Sequence, residues 1–329
     1  IVATVTLFYG FRFWQMRKAQ KAIETIVARN DDKDDDSQVL EARMNEAIAA
    51  LKRSSGKRNF LYEVPWYVVI GPPGAGKTTA LVNSGLNFPL AGSGDAQPVA
   101  GVGGTRSCDW WFTDQAVLID TAGRYTTQDS NAQCDKKSWL AFLSVLKRYR
   151  ARQPINGVVL AISLADLMSL DDQQLGVHVV EIRSRLREIH ETLKIQFPVY
   201  LLFTKADLVS GFMDYFGGFD EQRRRKVWGA TFQTADRSKN MVGEAPAEFD
   251  ALAKRLAEEM ADRLQEEADP VARISIFGFP AQFGALKGRI ASFIATIFDP
   301  ARSQVNVSLR GLYFSSGTQE GTPIDQVLG

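Results

Sequence analysis

Five apolar residues, Trp66 to Ile70, run directly into Gly71-Pro72-Pro73-Gly74-Ala75-Gly76-Lys77-Thr78, and Thr79 to Val82 then continue as a helix-forming stretch. The spacing Gly-x-x-x-x-Gly-Lys-Thr between a strand and a helix is the phosphate-loop pattern. It commits the chain to an α/β sheet that delivers this turn to a ligand crevice. Gly71, Gly74 and Gly76 let the backbone aim several N–H groups into one concavity at the positive end of a helix dipole, with Pro72, Pro73, Ala75 and Thr79 completing the turn. Lys77 reaches the outer phosphates as a point charge, and the Thr78 hydroxyl serves as a ligand of octahedral Mg²⁺.

Kinases, transport ATPases and switch GTPases all use such a loop, so the downstream motifs must discriminate. Ala116 to Gly123 reads AVLIDTAG. An apolar strand ending in Asp120 delivers a carboxylate to the crevice, where it holds Mg²⁺ through a water, and Gly123 brings a backbone N–H to the terminal phosphate. Thr113 to Gln115 separate this strand from CDWWF, which predicts a hairpin. Thr105, in the AGVGGTRS loop, closes over the third phosphate and completes the Mg²⁺ shell, or is an ordinary loop residue. At residues 198 to 208, PVYLLFTKADL is a further strand followed by Thr204-Lys205-Ala206-Asp207, the [N/T]KxD pattern of guanine recognition. The Asp207 carboxylate accepts the two donors on the guanine edge, which adenine lacks, while the Lys205 stem lies along the base. ISIFGFPAQ, residues 274 to 282, reads as the last strand and the loop covering the base.

With 329 residues, 45% hydrophobic and 23% charged, the chain buries a sizeable core, and a net charge of +1 argues against nucleic acid as a partner. Cys108 and Cys134 have no metal-like spacing, and His178 and His190, twelve apart, read as packed or solvated side chains. The first eleven residues are uncharged and mostly apolar, and an aromatic cluster through Trp14 gives way to Arg17, Lys18 and Lys21. That order marks the cytoplasmic exit of a membrane helix; a buried or amphipathic terminal helix is the alternative.

These patterns divide the chain into residues 1–16, the end of a transmembrane helix, and 17–59, juxtamembrane helices with the acidic linker NDDKDDDS. Residues 60–300 form a P-loop, small-GTPase-like domain with a helical insertion at about 209–268, and 301–329 begin a following segment. The expected fold is α/β, a doubly wound, mostly parallel sheet with strands near 66–70, 108–112, 116–120, 157–163, 198–204 and 273–279. The run Arg223-Arg224-Arg225-Lys226 is a solvated face or a contact for an acidic partner.

VPWYVVIGPPGAGKTTALVNSGLNFPL, GGTRSCDWWFTDQAVLIDTAGRY, FTKADL and RGLYFSSGTQEGTPID together resemble the IcmF/TssM family, the inner-membrane component of type VI secretion systems. The resemblance spans nearly everything from residue 60 onward. It implies a cytoplasmic nucleotide-binding domain at the bacterial inner membrane, partnered by a TssL/DotU-type protein, by the TssJ lipoprotein through a periplasmic part absent here, and by baseplate components. It leaves GTP or ATP open.

The expected activity is slow, Mg²⁺-dependent hydrolysis, with GTP favoured over ATP. Lys77, Thr105, Gly123 and Arg124 are the candidate catalytic residues. Ras-like switches carry a water-orienting glutamine where this chain has Arg124, which cannot act as a base; it stabilises transition-state charge or pairs with a neighbouring acid. Pro73 stands where switch GTPases usually have glycine. An ATP-driven motor and a scaffold with little turnover remain as alternatives.

Overall fold

The computed structural model describes residues 42, 44–45, 48–49, 60–86, 108–113, 115–127, 132–233, 239–298 and 307–317. The membrane-exit segment, the acidic linker and Thr105 lie outside them. Seven strands, β1 (Trp66–Ile70), β2 (Cys108–Phe112), β3 (Val117–Thr121), β4 (Gly157–Ser163), β5 (Pro198–Thr204), β6 (Gly229–Thr231) and β7 (Ser308–Phe314), form one mixed sheet ordered β2-β3-β1-β4-β5-β7-β6. The pairs β1–β3, β1–β4, β4–β5 and β5–β7 are parallel, whereas β2 and β6 are antiparallel edges. The chain leaves β1 toward β2 and β3 and then returns to β4 on its other side. The crevice at the carboxyl ends beside β1 is therefore where such a sheet exposes a ligand site.

Ten α-helices have both ends among the described residues: α1 (Lys77–Val82), α2 (Arg124–Thr127), α3 (Ala132–Tyr149), α4 (Leu164–Ser169), α5 (Asp172–Leu193), α6 (Phe212–Gly217), α7 (Glu221–Arg224), α8 (Ala245–Glu266), α9 (Pro270–Ala285) and α10 (Lys287–Phe298). Local chemistry sets several of their ends. Ser163 caps α4 by accepting the Asp166 N–H, and Asp171 and Gln174 close a reciprocal capping box on α5. Lys194, in the left-handed region at φ 57, ends α5.

The expected strand at 273–279 is helical, and the correction has a physical cause. Asp269 accepts N–H groups from Val271 and Ala272, and Pro270 sits in the first turn with its φ already set for a helix. The last strand of the sheet is instead β7, so the α/β unit continues past residue 300 to Phe314. Helices also extend beyond the expected insertion, from Phe212 to Phe298, interrupted by the short β6.

The two faces of the sheet are covered unequally. Val68, Ile70, Ile119, Val158, Leu160, Ile162, Val199, Leu201, Phe203 and Leu312 belong to one hydrophobic cluster, together with the buried side chains of α3, α5, α8, α9 and α10. On the opposite face Val69 and Trp111 cluster with Leu81 of α1, with Leu118 and Val159 beside them. A doubly wound sheet carries helices on both faces; among the described residues nearly all the helical mass lies on one.

Candidate functional site

The turn after β1 is shaped by its glycines. Gly74 and Gly76 occupy the left-handed region at φ 73 and 71, which side-chain-bearing residues rarely adopt. Ala75 N–H donates to the Pro72 carbonyl at 3.2 Å, tightening the turn into α1. From β5, the Thr204 hydroxyl donates to the Ala75 carbonyl at 2.8 Å, and so ties the second motif to the first.

Around this turn lies a cavity of about 460 Å³ lined by Pro73 to Ala80, Thr121, Gly123, Thr204, Lys205, Asp207, Leu208 and Ser315 to Gly317. Of the residues singled out from sequence, Pro73, Gly74, Ala75, Gly76, Lys77, Thr78, Thr79, Gly123, Thr204, Lys205 and Asp207 meet there. Gly71, Pro72 and Asp120 stand behind the wall. A Cβ on Gly71 would come 2.2 Å from the Ala161 carbonyl oxygen, so β4 permits no side chain at that position.

Lys77 is buried and donates to the carbonyls of Gly71 at 2.8 Å and Pro72 at 3.0 Å. Burial lowers its pKa to about 8, against the opposing pull of Asp120. Thr78 Oγ1 donates to Asp120 Oδ2 at 2.5 Å, bringing together two hard oxygen atoms of the kind Mg²⁺ takes. At the other end, Asp207 is buried and its Oδ1 accepts the Gly317 N–H at 3.2 Å. A Cβ on Gly317 would lie 2.9 Å from Thr79 Cγ2.

The segment after β3 is fastened to the glycine turn. A Cβ on Gly123 would lie 2.5 Å from Pro73 Cα and 2.6 Å from Pro73 N, and Gly71 N–H donates to Thr126 Oγ1 at 3.2 Å. Arg185 of α5 donates to the Tyr125 carbonyl at 3.3 Å while pairing with Glu188 at 3.0 Å. Arg124 takes no part in the lining. Its Nε faces Asp135 Oδ1 at 3.5 Å, with the Arg124 side chain 41% exposed.

Sequence reasoning missed Ser315 to Gly317, which line the cavity where the 274–282 stretch does not; the Ser-Ser-Gly turn following the apolar LYF of β7 was the available signal. It also missed Thr126 and Arg185, which carry no motif. Elsewhere, His178 pairs with Glu181 at 3.5 Å and His190 Nδ1 lies 2.9 Å from the Ile195 carbonyl, so both are packed side chains. The Arg223 to Lys226 run is exposed. No described helix is long and apolar enough to cross a membrane.

A family model described as the IcmF-related N-terminal domain matches residues 132–329. The type VI secretion system component TssM1 of Pseudomonas aeruginosa (strain PAO1) is 50% identical over 295 residues, 88% of this chain and 27% of that protein. The chain thus spans about a quarter of that curated relative. Among solved structures, the signal recognition particle receptor SRb-GTP/SRX complex from Chaetomium thermophilum is 17% identical over 46% of this chain and 76% of its own, with a TM-score of 0.28. A GTP-binding protein from Sulfolobus solfataricus in complex with GDP is 14% identical over 54% and 52%, with a TM-score of 0.27. TM-scores this low carry no argument, and the sheet order stands on its own strand pairings.

Proposed function

The chain belongs to the IcmF/TssM family of type VI secretion components, and we propose that its α/β sheet carries a nucleotide switch for that machinery. In this reading it is a P-loop site of small-GTPase type that takes Mg²⁺ with GTP in preference to ATP. One observation supports it above the rest: Gly74 to Thr79, Gly123 and Thr204 to Asp207, far apart in sequence, line a single cavity. The glycine turn and Lys77 hold the phosphates once Lys77 leaves its carbonyl partners, and Asp207, oriented by Gly317, meets the donor edge of guanine.

Thr78 and Asp120 fit Mg²⁺ as hard oxygen donors, with Thr105 as the third protein ligand proposed from sequence. The ion, when bound, neutralises phosphate charge and orients the chain of phosphates. Gly123 offers its N–H to the terminal phosphate, and Pro73 against it couples that contact to the turn. Hydrolysis is slow in this scheme, because Arg124 is held by Asp135 and cannot act as a base. Nucleotide state then biases assembly or secretion by a complex at the bacterial inner membrane. This domain faces the cytoplasm there, with a TssL/DotU-type protein, TssJ and baseplate components as partners.

Calorimetric titration of the 329-residue chain with GTP and ATP analogues plus Mg²⁺, beside Lys77→Ala and Asp207→Asn, tests the site. Guanine binding lost in Lys77→Ala and weakened in Asp207→Asn is expected. ATP binding that survives Asp207→Asn favours a motor, and no binding of either nucleotide leaves a scaffold.

A further inference from the structure

The sheet face that carries α1 is apolar until the carboxyl end of β3. Trp111, Val69 and Leu81 cluster there, with Leu118 and Val159 beside them. Trp111 lies opposite Leu118 across the antiparallel pair of β2 and β3, and the next opposed pair on the same face is Asp109 and Asp120. Both acids are buried, Asp109 at 5% exposure and Asp120 at 0%. Directly opposed residues stand about 4.5–5.5 Å apart at Cβ, a separation at which like charges destabilise a sheet.

Asp120 is already placed for a cation. Thr78 Oγ1 donates to its Oδ2 at 2.5 Å, and these two supply the hard oxygen atoms that fit Mg²⁺. Two acids set side by side away from water favour either a shared proton or a neighbouring cation. The second acid of this pair carries none of the phosphate-loop motifs, yet the register of β2 on β3 brings it to the same corner of the sheet.

We propose that Asp109 is the second carboxylate of a divalent-cation site, acting through the water shell of an ion that Thr78 and Asp120 hold. β2 lies one strand farther than β3 from β1 and its glycine turn, a step of ~4.8 Å, so Asp109 meets the ion's waters rather than the ion. Mg²⁺ suits such a place, because it gives up its waters reluctantly and is ordinarily held by one or two carboxylates. Asp109 is a positioning residue here: it orients the waters and offsets the ion's second charge. The site then keeps its cation when no third phosphate is present. This inference rests on the cation half of the proposed function and holds whichever base, or none, enters the cavity.

Mn²⁺ is the probe, titrated into the 329-residue chain and into its Asp109→Asn variant with the free ion read by electron paramagnetic resonance, without nucleotide and then with GDP. Loss of an outer partner weakens metal binding by about 10–100-fold, so Asp109→Asn should bind Mn²⁺ at least ~10-fold more weakly in both arms. Ions taken by the acidic NDDKDDDS run are common to the two proteins. Scanning calorimetry in chelator should give the opposite sign. There Asp109→Asn, relieved of its facing charge, should melt about 1–4 °C above the wild type, and added Mg²⁺ should raise the wild type more than the variant. Equal Mn²⁺ affinity of the two proteins in both arms overturns the inference. So does a variant that melts below the wild type, or fails to fold, in chelator, since either makes Asp109 a structural hydrogen-bond partner. A wild type that takes Mn²⁺ through Asp109 but binds no GDP removes the nucleotide reading and leaves this one standing; GDP binding with Mn²⁺ affinity indifferent to Asp109→Asn does the reverse.

Discussion

The contact between Gly123 and Pro73 makes the sharpest demand on a single atom. Replacing Gly123 by alanine sets a Cβ 2.5 Å from Pro73 Cα, 2.6 Å from Pro73 N and 3.1 Å from the Pro72 carbonyl carbon, all of them backbone. Carbon atoms rest comfortably at about 3.5–4.0 Å, so the two segments must part by roughly 1 Å. Proline holds its φ fixed, so Pro73 cannot swing aside cheaply. Overpacking of this kind costs about 1–3 kcal/mol, and the 3.2 Å bond from Gly71 N–H to Thr126 Oγ1, across the same seam, adds about 1 kcal/mol if it breaks. A total of about 2–4 kcal/mol lowers the melting temperature by roughly 4–16 °C in a domain of this size, at about 2–4 °C per kcal/mol. Scanning calorimetry reads the loss, and titration with a GTP analogue reads the displaced turn as an affinity at least ~10-fold weaker. Gly278→Ala is the control: no atom lies within 4 Å of its added Cβ, and inside α9 alanine should stabilise by about 0.5–1 kcal/mol. A Gly123→Ala protein that melts with the wild type and binds nucleotide equally well would refute the claim that Gly123 and Pro73 form one rigid seam.

Four further outcomes are expected. Lys77 has a pKa of about 8 in the free protein because burial disfavours its charge, so a bound polyphosphate, which favours the cation, takes up a proton above that pH; affinity then falls by up to ~10-fold per pH unit from about pH 8 upward, and Lys77→Ala removes the slope. Calorimetry in buffers of different ionisation enthalpy shows the uptake, and a flat profile from pH 7 to pH 9.5 contradicts it. Asp207→Asn keeps an acceptor for the Gly317 N–H but presents the wrong donor pattern to guanine, so the preference for GTP over ATP should shrink by roughly 10–100-fold while the fold survives. Thr204→Val removes the hydroxyl holding the Ala75 and Ile162 carbonyls, and should cost about 1–2 kcal/mol of stability and weaken GTP and ATP alike. Asp269→Ala strips the cap of α9 and should cost about 1 kcal/mol with no change in nucleotide affinity, since α9 lines no part of the cavity.

The strands that carry the site were legible because each couples an unbroken apolar run to a polar turn with its own signature. WYVVI before the glycine turn and PVYLLFT before Lys205 fall where the patterns put them, and the 117–121 strand lies one residue from its expected place. The stretch RISIFGFPAQ defeated the same reasoning. It is apolar nearly all round, and Ile276, Phe279 and Phe283 are buried while Val271, Ile274 and Phe277 are exposed, so its sequence shows neither a period of two nor a clear helical stripe. Its Asp269-Pro270 start was the readable sign. β7 fell in the 301–329 segment assigned outside the domain, because nothing local tells a strand which sheet it will join; only the pairing of Pro198 to Phe203 with Ser308 to Phe314 decides that. Arg185 illustrates a second limit. It reaches the Tyr125 carbonyl across 60 residues, a contact that no spacing within either helix predicts.

The arrangement joins the two ends of the cavity to different bodies of the protein. At the end where the phosphates are proposed to lie, the glycine turn is fixed through Thr126 and the Tyr125 carbonyl to Arg185 of α5, and Arg183 of the same helix donates to the Thr296 carbonyl of α10 at 3.3 Å. At the base end, Phe314 immediately precedes the Ser315 to Gly317 wall. It stacks on Phe203 at 5.2 Å and packs against Trp228 at 4.9 Å and Phe283 at 5.0 Å, while Phe283 in turn stacks on Phe249 of α8 at 4.7 Å. Phe314 thus joins the Asp207 end of the cavity to α8 and α9 by a continuous chain of ring contacts. The Gly123 end is joined to α10 through α5.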